Sequence, residues 1–418
     1  MGLVEEYIGE LRDIRASGAG VKETSYYPAL SNLLNGIGKT LSPQVRCITT
    51  LRNLGAGIPD GGLFTADQFP KASDVPLDPQ NPARGVIEVK GTKDDAWVIA
   101  DGEQVSRYWG QYRQVLVTNL RDFVLVGQDG NGVPVKLETY RLAASERAFW
   151  SAAANPRALA AAQGDRFVDF LKRVLLQGAP LTSPRDLAWF LASYAREARA
   201  RIEKGKLAAL KDLRAALEEA LGLSFQGEQG HHFFRSTLVQ TLFYGVFSAW
   251  VLWSREPQAR QPNARFDWRT AAWTLRVPMI RALFDQVATP SQLEPLGLVE
   301  VLDWTSAALN RVDRETFFAR FEETHAVQYF YEPFLQAFDP ELRKQLGVWY
   351  TPPEVARYMV ERVDTVLREH LGRPDGLADR DVYVLDPATG TATYLVEVVK
   401  RSPAPSTSGA RTPWRPAT

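Results

Sequence analysis

The heptapeptide "GVIEVKG", residues 85–91, reads as a short strand bounded by glycines. Val86, Ile87 and Val89 suit a pleated surface. Side chains alternate along a strand, so Val86, Glu88 and Lys90 share one face while Ile87 and Val89 take the other. The expected arrangement is an apolar pair inward and a carboxylate–ammonium pair outward, presented from a rigid element. A Glu-x-Lys pair in a strand is common, and taken alone it describes an exposed salt-bridging edge. Its surroundings say more. "GAGIPDGGLF", residues 55–64, supplies Asp60 directly after a proline, 28 residues before Glu88. "EQVSRYWGQY", residues 103–112, reads as a helix with Gln104 and Tyr108 at i and i+4, hence on one face.

Asp60 and Glu88, brought together, offer hard oxygen ligands of the kind Mg²⁺ prefers. A cation there would acidify a bound water and stabilise charge on a scissile phosphate, with Lys90 placed to orient that water. Asp60, Glu88, Lys90, Gln104 and Tyr108 together resemble the PD-(D/E)xK nuclease superfamily, in the branch with a trailing Q-x-x-x-Y helix. The resemblance implies a mixed sheet flanked by helices, an α/β nuclease domain, with Asp60, Glu88 and Lys90 catalytic and Mg²⁺ as cofactor. Members often add an acid from the first helical region. Glu23 in "VKETSYY" is the candidate third metal ligand, against the alternative of a solvated or capping carboxylate.

Around this centre, residues 1–145 read as α/β. An amphipathic start (Leu3, Val4, Tyr7, Ile8, Leu11) predicts a helix, and "TSYYPALSNLLNGIG" predicts a second that Gly36 ends. Further strands are predicted in "VRCITTL" (45–51), "QVLVTNL" (114–120) and "DFVLVGQDG" (122–130), with a Pro/Asp-rich loop at 69–85. Residues 146–345 read as an all-α connector. Within it, 197–222 is Ala-rich and amphipathic, with Leu207, Leu210, Leu213, Leu217 and Leu221 at helical spacing. His231 and His232 are adjacent and point different ways on a helix, which suits packing or polar surface rather than a metal.

Residues 236–254 carry no charge but contain Ser236, Thr237, Gln240, Thr241, Ser248 and Ser254, which marks a buried helix rather than a membrane span. The chain is 45% hydrophobic and 23% charged with a formal net charge of 0, so any DNA binding must come from local basic patches. A lone cysteine, Cys47, excludes an intramolecular disulfide and suits a reducing, cytoplasmic setting.

A second constellation follows residue 346. "GVWYTPPEVARYMVERV", 347–363, predicts a helix with Thr351 as cap, Pro352 in the first position and Glu354 completing a capping box. "VYVLDPATGTATYL", 382–395, predicts an apolar strand with Asp386 at its carboxyl end and a turn through Gly390, where doubly wound sheets bind ligands. This pair resembles the N6-adenine DNA methyltransferases that use S-adenosylmethionine. By that resemblance Tyr350, Thr351 and Pro352 would lie against the methionine end of the cofactor, and Asp386, Ala388 and Gly390 would line its binding loop. Ala392 stands where the family usually has glycine. After Glu397 no Asp or Glu follows, and downstream of 386 there is no D/N-P-P-Y/F motif. Residues 346–400 therefore read as the beginning of a Rossmann-like methyltransferase domain, and 401–418 as a disordered or out-of-frame tail.

The combined resemblance is to fused type II restriction–modification enzymes, truncated early in the methyltransferase, with double-stranded DNA as partner and no membrane. Three functions stay open at this point: a Mg²⁺-dependent DNA endonuclease, a catalytically silent fragment that binds DNA or a full-length partner, and a nuclease with a residual S-adenosylmethionine sensor.

Overall fold

The computed structural model describes residues 2–21, 23–69, 80–129, 132–205, 207–261, 263–276, 278–321, 330–340, 344, 351–389 and 392–402. In it the run at 85–91 becomes β3 (Val86–Val89), an inner strand of a six-stranded mixed sheet. The strands lie side by side in chain order: β1 (Val45–Thr49), β2 (Gly61–Thr65), β3, β4 (Val115–Thr118), β5 (Asp122–Gln128) and β6 (Pro134–Arg141). Only β3 and β4 run parallel; the other neighbours are antiparallel. β2 and β6 lie outside the runs predicted above. Two leading glycines hide β2, which is held instead by a five-residue register with β1, from Val45↔Thr65 to Thr49↔Gly61. β6 opens on a proline, tolerated because this is an edge strand.

Helices cover both faces of the sheet. On one side Ile87, Val89, Leu116, Phe123 and Leu125 share a core with α1 (Leu3–Ser17) and α2 (Tyr27–Gly38). On the other, Val86, Val115, Val117 and Val124 pack with Ala96, Val105 and Tyr108 from α3 (Ala96–Ala100) and α4 (Glu103–Tyr112). Period-two alternation holds along β3, but neither face meets solvent, so Glu88 is not outward as expected: it is 1% exposed. The reason lies in the covering layers, since strands buried on both faces carry near-continuous apolar runs. Gly36 does not end α2, which continues to Gly38.

The first layer extends past residue 145. Phe149 of α5 (Glu146–Ala153) and Phe167, Phe170, Leu171 and Val174 of α6 (Pro156–Leu176) belong to the same core as α1. Tyr7 anchors it, donating its hydroxyl to the Leu120 carbonyl at 2.7 Å. A buried ion pair fastens α6 to β6: Arg173 Nε donates to Glu138 Oε2 at 2.9 Å, and Tyr194 Oη donates to Oε1 at 2.6 Å. Tyr194 lies on α7 (Pro184–Lys204). The amphipathic run at 197–222 is divided between two helices, because α7 stops before Gly205 and α8 (Leu207–Leu221) starts afresh, with Leu210, Leu213 and Leu217 buried.

The uncharged run at 236–254 lies largely within α9 (Gly227–Trp253), where Phe234, Leu238, Leu242, Val246 and Trp250 are buried. Among the described residues, no helix is long and apolar enough to cross a membrane.

The chain divides into two compact units, the first comprising Met1–Leu181 with Phe190–Asp313 and the second Thr182–Trp189 with Arg314–Thr418. In the second, the helix Pro353–Glu369 packs against the helix Thr393–Arg401. Asp364 is the polar centre of this pair. Its carboxylate accepts from Arg368 Nε at 3.0 Å, Arg401 Nε at 3.1 Å and the Leu377 amide at 2.9 Å. Gly376 is required there, because at its φ of 59° an added Cβ would stand 2.0 Å from Asp364 Oδ1.

Arg173→Ala leaves Glu138 buried and without its cation, and should cost about 3–5 kcal/mol in urea unfolding; a loss under about 1 kcal/mol would show the pair to be dispensable. Burial opposes the charge on Asp364, but Arg368, the Leu377 amide and Arg401 outweigh it and hold its pKa below the ordinary range. A depressed carboxylate stabilises the fold at neutral pH, and that contribution disappears as the pH falls below about 3.9 and through the native value. Hydrogen exchange over 353–369 should therefore lose protection in acid, and Asp364→Asn should flatten that dependence.

Candidate active site

β2 and β3 pair only at Gly61↔Ile87 and Gly62↔Val86 and then diverge. The Val89 amide, on the β2 side of β3, is left without a ladder partner and donates to Asp60 Oδ2 at 2.7 Å. The other carboxylate oxygen, Oδ1, accepts from the Tyr27 hydroxyl at 2.5 Å. Asp60 is thus drawn to the carboxyl end of the strand that carries Glu88. Lys90, just beyond β3, pairs its ammonium with Glu88 Oε1. Glu88 Oε2 is buried with no hydrogen-bond partner.

The loop before Asp60 is shaped by local polar contacts. Asn53 Oδ1 accepts from the Gly55 and Gly57 amides at 2.8 and 3.2 Å. Gln111 of α4 donates to the Leu54 carbonyl at 2.7 Å. Gly57, at φ 120°, lets the loop lie against the Tyr108 ring, since a Cβ there would stand 3.3 Å from Tyr108 Cε1. Gln104 Nε2 meets the Tyr108 hydroxyl at 3.0 Å, so the two residues expected on one helical face do meet.

The electrostatics are those of crowded carboxylates around one ammonium. Burial, with the charges of Asp60 and Glu23, raises the pKa of Glu88 against the opposing pull of Lys90. Burial alone would lower the Lys90 pKa, but Glu88, Glu23 and Asp60 outweigh it and hold the ammonium above its usual range. Burial, the bond to Asp60 and the nearby carboxylates raise the Tyr27 phenol. Burial also raises Tyr108.

The structure therefore brings Asp60, Glu88 and Lys90 together, with Gln104 and Tyr108 on the adjoining helix. Glu23, just before α2, acts on the group through its charge. Among the described residues, no group of three or more His, Cys, Asp or Glu is arranged to hold a metal ion.

Sequence reasoning missed Tyr27, Asn53 and Gln111. Gln111 had a signal, because it follows Gln104 and Tyr108 at the next helical position on the same face. Tyr27 had none, since its partner is 33 residues away.

In the second unit, Tyr350 and Gly390 lie outside the described residues, as do 403–418. Thr351 is not the cap of its helix: Pro352 occupies the N-cap, the helix starts at Pro353, and no side chain caps it. The expected box with Glu354 does not form, because Thr351 precedes the N-cap by one residue. Residues 382–386 form no strand, and Tyr383 and Leu385 are 93% and 85% exposed, because no neighbouring strand among the described residues supplies a ladder. Asp386 Oδ1 accepts from the Ala388 amide at 3.1 Å, while its Oδ2 is buried without a partner. Ala392, the N-cap of the following helix, sits at φ 62°, ψ 26°, a left-handed conformation that glycine adopts without penalty.

Residues 322–407 match the family model N-6 DNA Methylase. Among solved structures, the chain is similar to a chain of the cryoEM structure of a DrdV–DNA complex, at 23% identity and a TM-score of 0.30, over 96% of this chain and 35% of that one. It thus spans about a third of that chain's length. No curated protein matches.

The family match falls on the segment whose "YTPPE" and "DPATGT" motifs carry the methyltransferase resemblance. Relief of the left-handed strain should be measurable there: Ala392→Gly should stabilise the helix Thr393–Arg401 by about 1 kcal/mol. Slower amide exchange over that helix is the expected readout, and unchanged exchange would show the backbone is not strained at 392.

Proposed function

We propose that the first unit carries, in residues 1–145, a Mg²⁺-dependent DNA endonuclease of the PD-(D/E)xK type, and that residues 346–400 carry the opening elements of an N6-adenine DNA methyltransferase. The domain plan that goes with this reading is a nuclease at 1–145, a helical connector at 146–345 and the methyltransferase portion at 346–400. Double-stranded DNA is the proposed substrate. The observation that carries the reading is Glu88 Oε2, a buried carboxylate oxygen with no partner, in a group that also holds Asp60 and Lys90. Buried polar atoms are ordinarily satisfied, and an orphan at a strand end suits a ligand.

Asp60 and Glu88 are the residues that would hold Mg²⁺, which when bound supplies an acidified water and charge stabilisation at phosphorus. The protein's own contribution is positional. Asp60 is clamped between the Val89 amide and the Tyr27 hydroxyl. Lys90, kept protonated by its acidic neighbours, offers a cation to a phosphate oxygen or to the attacking water. Tyr108 and Gln111 hold the loop that delivers Asp60.

S-adenosylmethionine is the cofactor that the methyltransferase resemblance implies. The described residues do not build its cradle, since 382–386 form no strand and Tyr383, Val384 and Leu385 are exposed.

Purified chain should cut unmethylated plasmid in Mg²⁺ and not in EDTA. Asp60→Ala and Lys90→Ala should each lower the rate by at least about 100-fold with circular dichroism unchanged. Inert wild type, or cutting that survives Asp60→Ala, would favour the alternative of a chain that binds DNA without cleaving it.

A further inference from the structure

The geometry points to Tyr27 as the residue that positions the Asp60 carboxylate for a divalent cation, an inference that rests on the nuclease reading above. Asp60 stands at a bend between a glycine-containing loop and β2, so the ladder does not hold its side chain. Two donors grip it from opposite oxygens, the Val89 amide on Oδ2 and the Tyr27 hydroxyl on Oδ1. The amide belongs to the sheet and is fixed with it. The hydroxyl is the side-chain half of the clamp, and it determines the carboxylate torsion that the amide alone leaves free.

Tyr27 is itself rigidly placed. It is the first residue of α2, and Pro28 follows it inside the first turn. Two turns further on, Asn35 fastens α2 to β1 by exchanging two bonds with the Cys47 backbone, at 2.9 and 3.1 Å. The ring shares a small crevice with Leu30, Cys47, Ile87 and Val89, which Asp60 also lines. A hydroxyl so placed has one proton, and donating it to Oδ1 leaves the remaining lone pairs of Asp60 in a single orientation beside Glu88. Partners of this kind behind a ligating carboxylate typically contribute 10–100-fold to metal affinity or activity, so the same order is expected here, about 10-fold or more.

A merely structural link between α2 and the bend would change stability and leave cation affinity alone. The test is Mn²⁺ binding to the full chain, followed by electron paramagnetic resonance of the free ion, for wild type, Tyr27→Phe, Tyr27→His and Asp60→Ala. Tyr27→Phe keeps the ring in its crevice and should raise the Mn²⁺ Kd about 10-fold, with the urea midpoint monitored alongside. Tyr27→His restores a ring N–H donor and should recover part of the affinity, and Asp60→Ala should abolish binding. In cleavage assays the Mg²⁺ concentration for half-maximal rate should rise in Tyr27→Phe, while DNA affinity in EDTA stays unchanged.

Equal Mn²⁺ affinity in wild type and Tyr27→Phe would overturn the role of Tyr27 even if cleavage and its Asp60 dependence stand. Absence of Mn²⁺ binding to wild type would overturn it as well. Weakened Mn²⁺ binding in Tyr27→Phe without any cleavage would support the placement of Tyr27 while overturning the nuclease reading.

Discussion

The divergence of β2 from β3 leaves one backbone amide, that of Val89, without a strand to pair with. A buried amide without an acceptor is costly, and Asp60 Oδ2 satisfies it. That single bond ties the loop after β1 to the end of the strand carrying Glu88, over 29 residues of chain. The rest of the candidate site is arranged around it. Tyr27 reaches the second oxygen of Asp60, Lys90 closes on Glu88, and α4 holds the loop from the other side through Gln111 and Tyr108.

Burial on both faces gives this corner its chemistry. If one face of the sheet were solvated, Glu88 and Lys90 would form an ordinary surface pair worth little. Covered by α4 and its loop, Glu88 loses hydration, its pKa rises, and one of its oxygens is left without a partner. The opposite face makes this rigid. α1, α2, α5 and α6 bury Ile87 and Val89 in a continuous core, and the Glu138–Arg173–Tyr194 cluster fastens α6 and α7 to the edge strand β6.

The second unit shows what happens when strand sequence has no sheet beside it among the described residues. "VYVLD" has the composition of an inner strand, yet its large side chains stand in solvent and its backbone makes no ladder among the described residues. The helices on either side do pack, centred on Asp364 and its arginines, because their contact is local and self-contained. Ala392 records the same tension in the backbone, holding a left-handed angle without the glycine that would relax it.

Local sequence determined the helical faces of Val4, Tyr7, Ile8 and Leu11, the strands around Cys47, Glu88, Leu116 and Val124, and the helix that pairs Gln104 with Tyr108. These depend on periodicity and on neighbours a few residues away, which a single chain displays directly. It also marked Asp60, Glu88 and Lys90 as a group by residue type and spacing. Tertiary structure alone decided that Glu88 is buried, since an alternating strand does not show whether its second face is covered. It alone recruited Tyr27 and the Val89 amide to Asp60, because bonds across about 30 residues leave no periodic trace. It also withheld the capping box from Thr351 and the strand from 382–386, since a cap depends on where the helix begins and a strand exists only where another lies beside it.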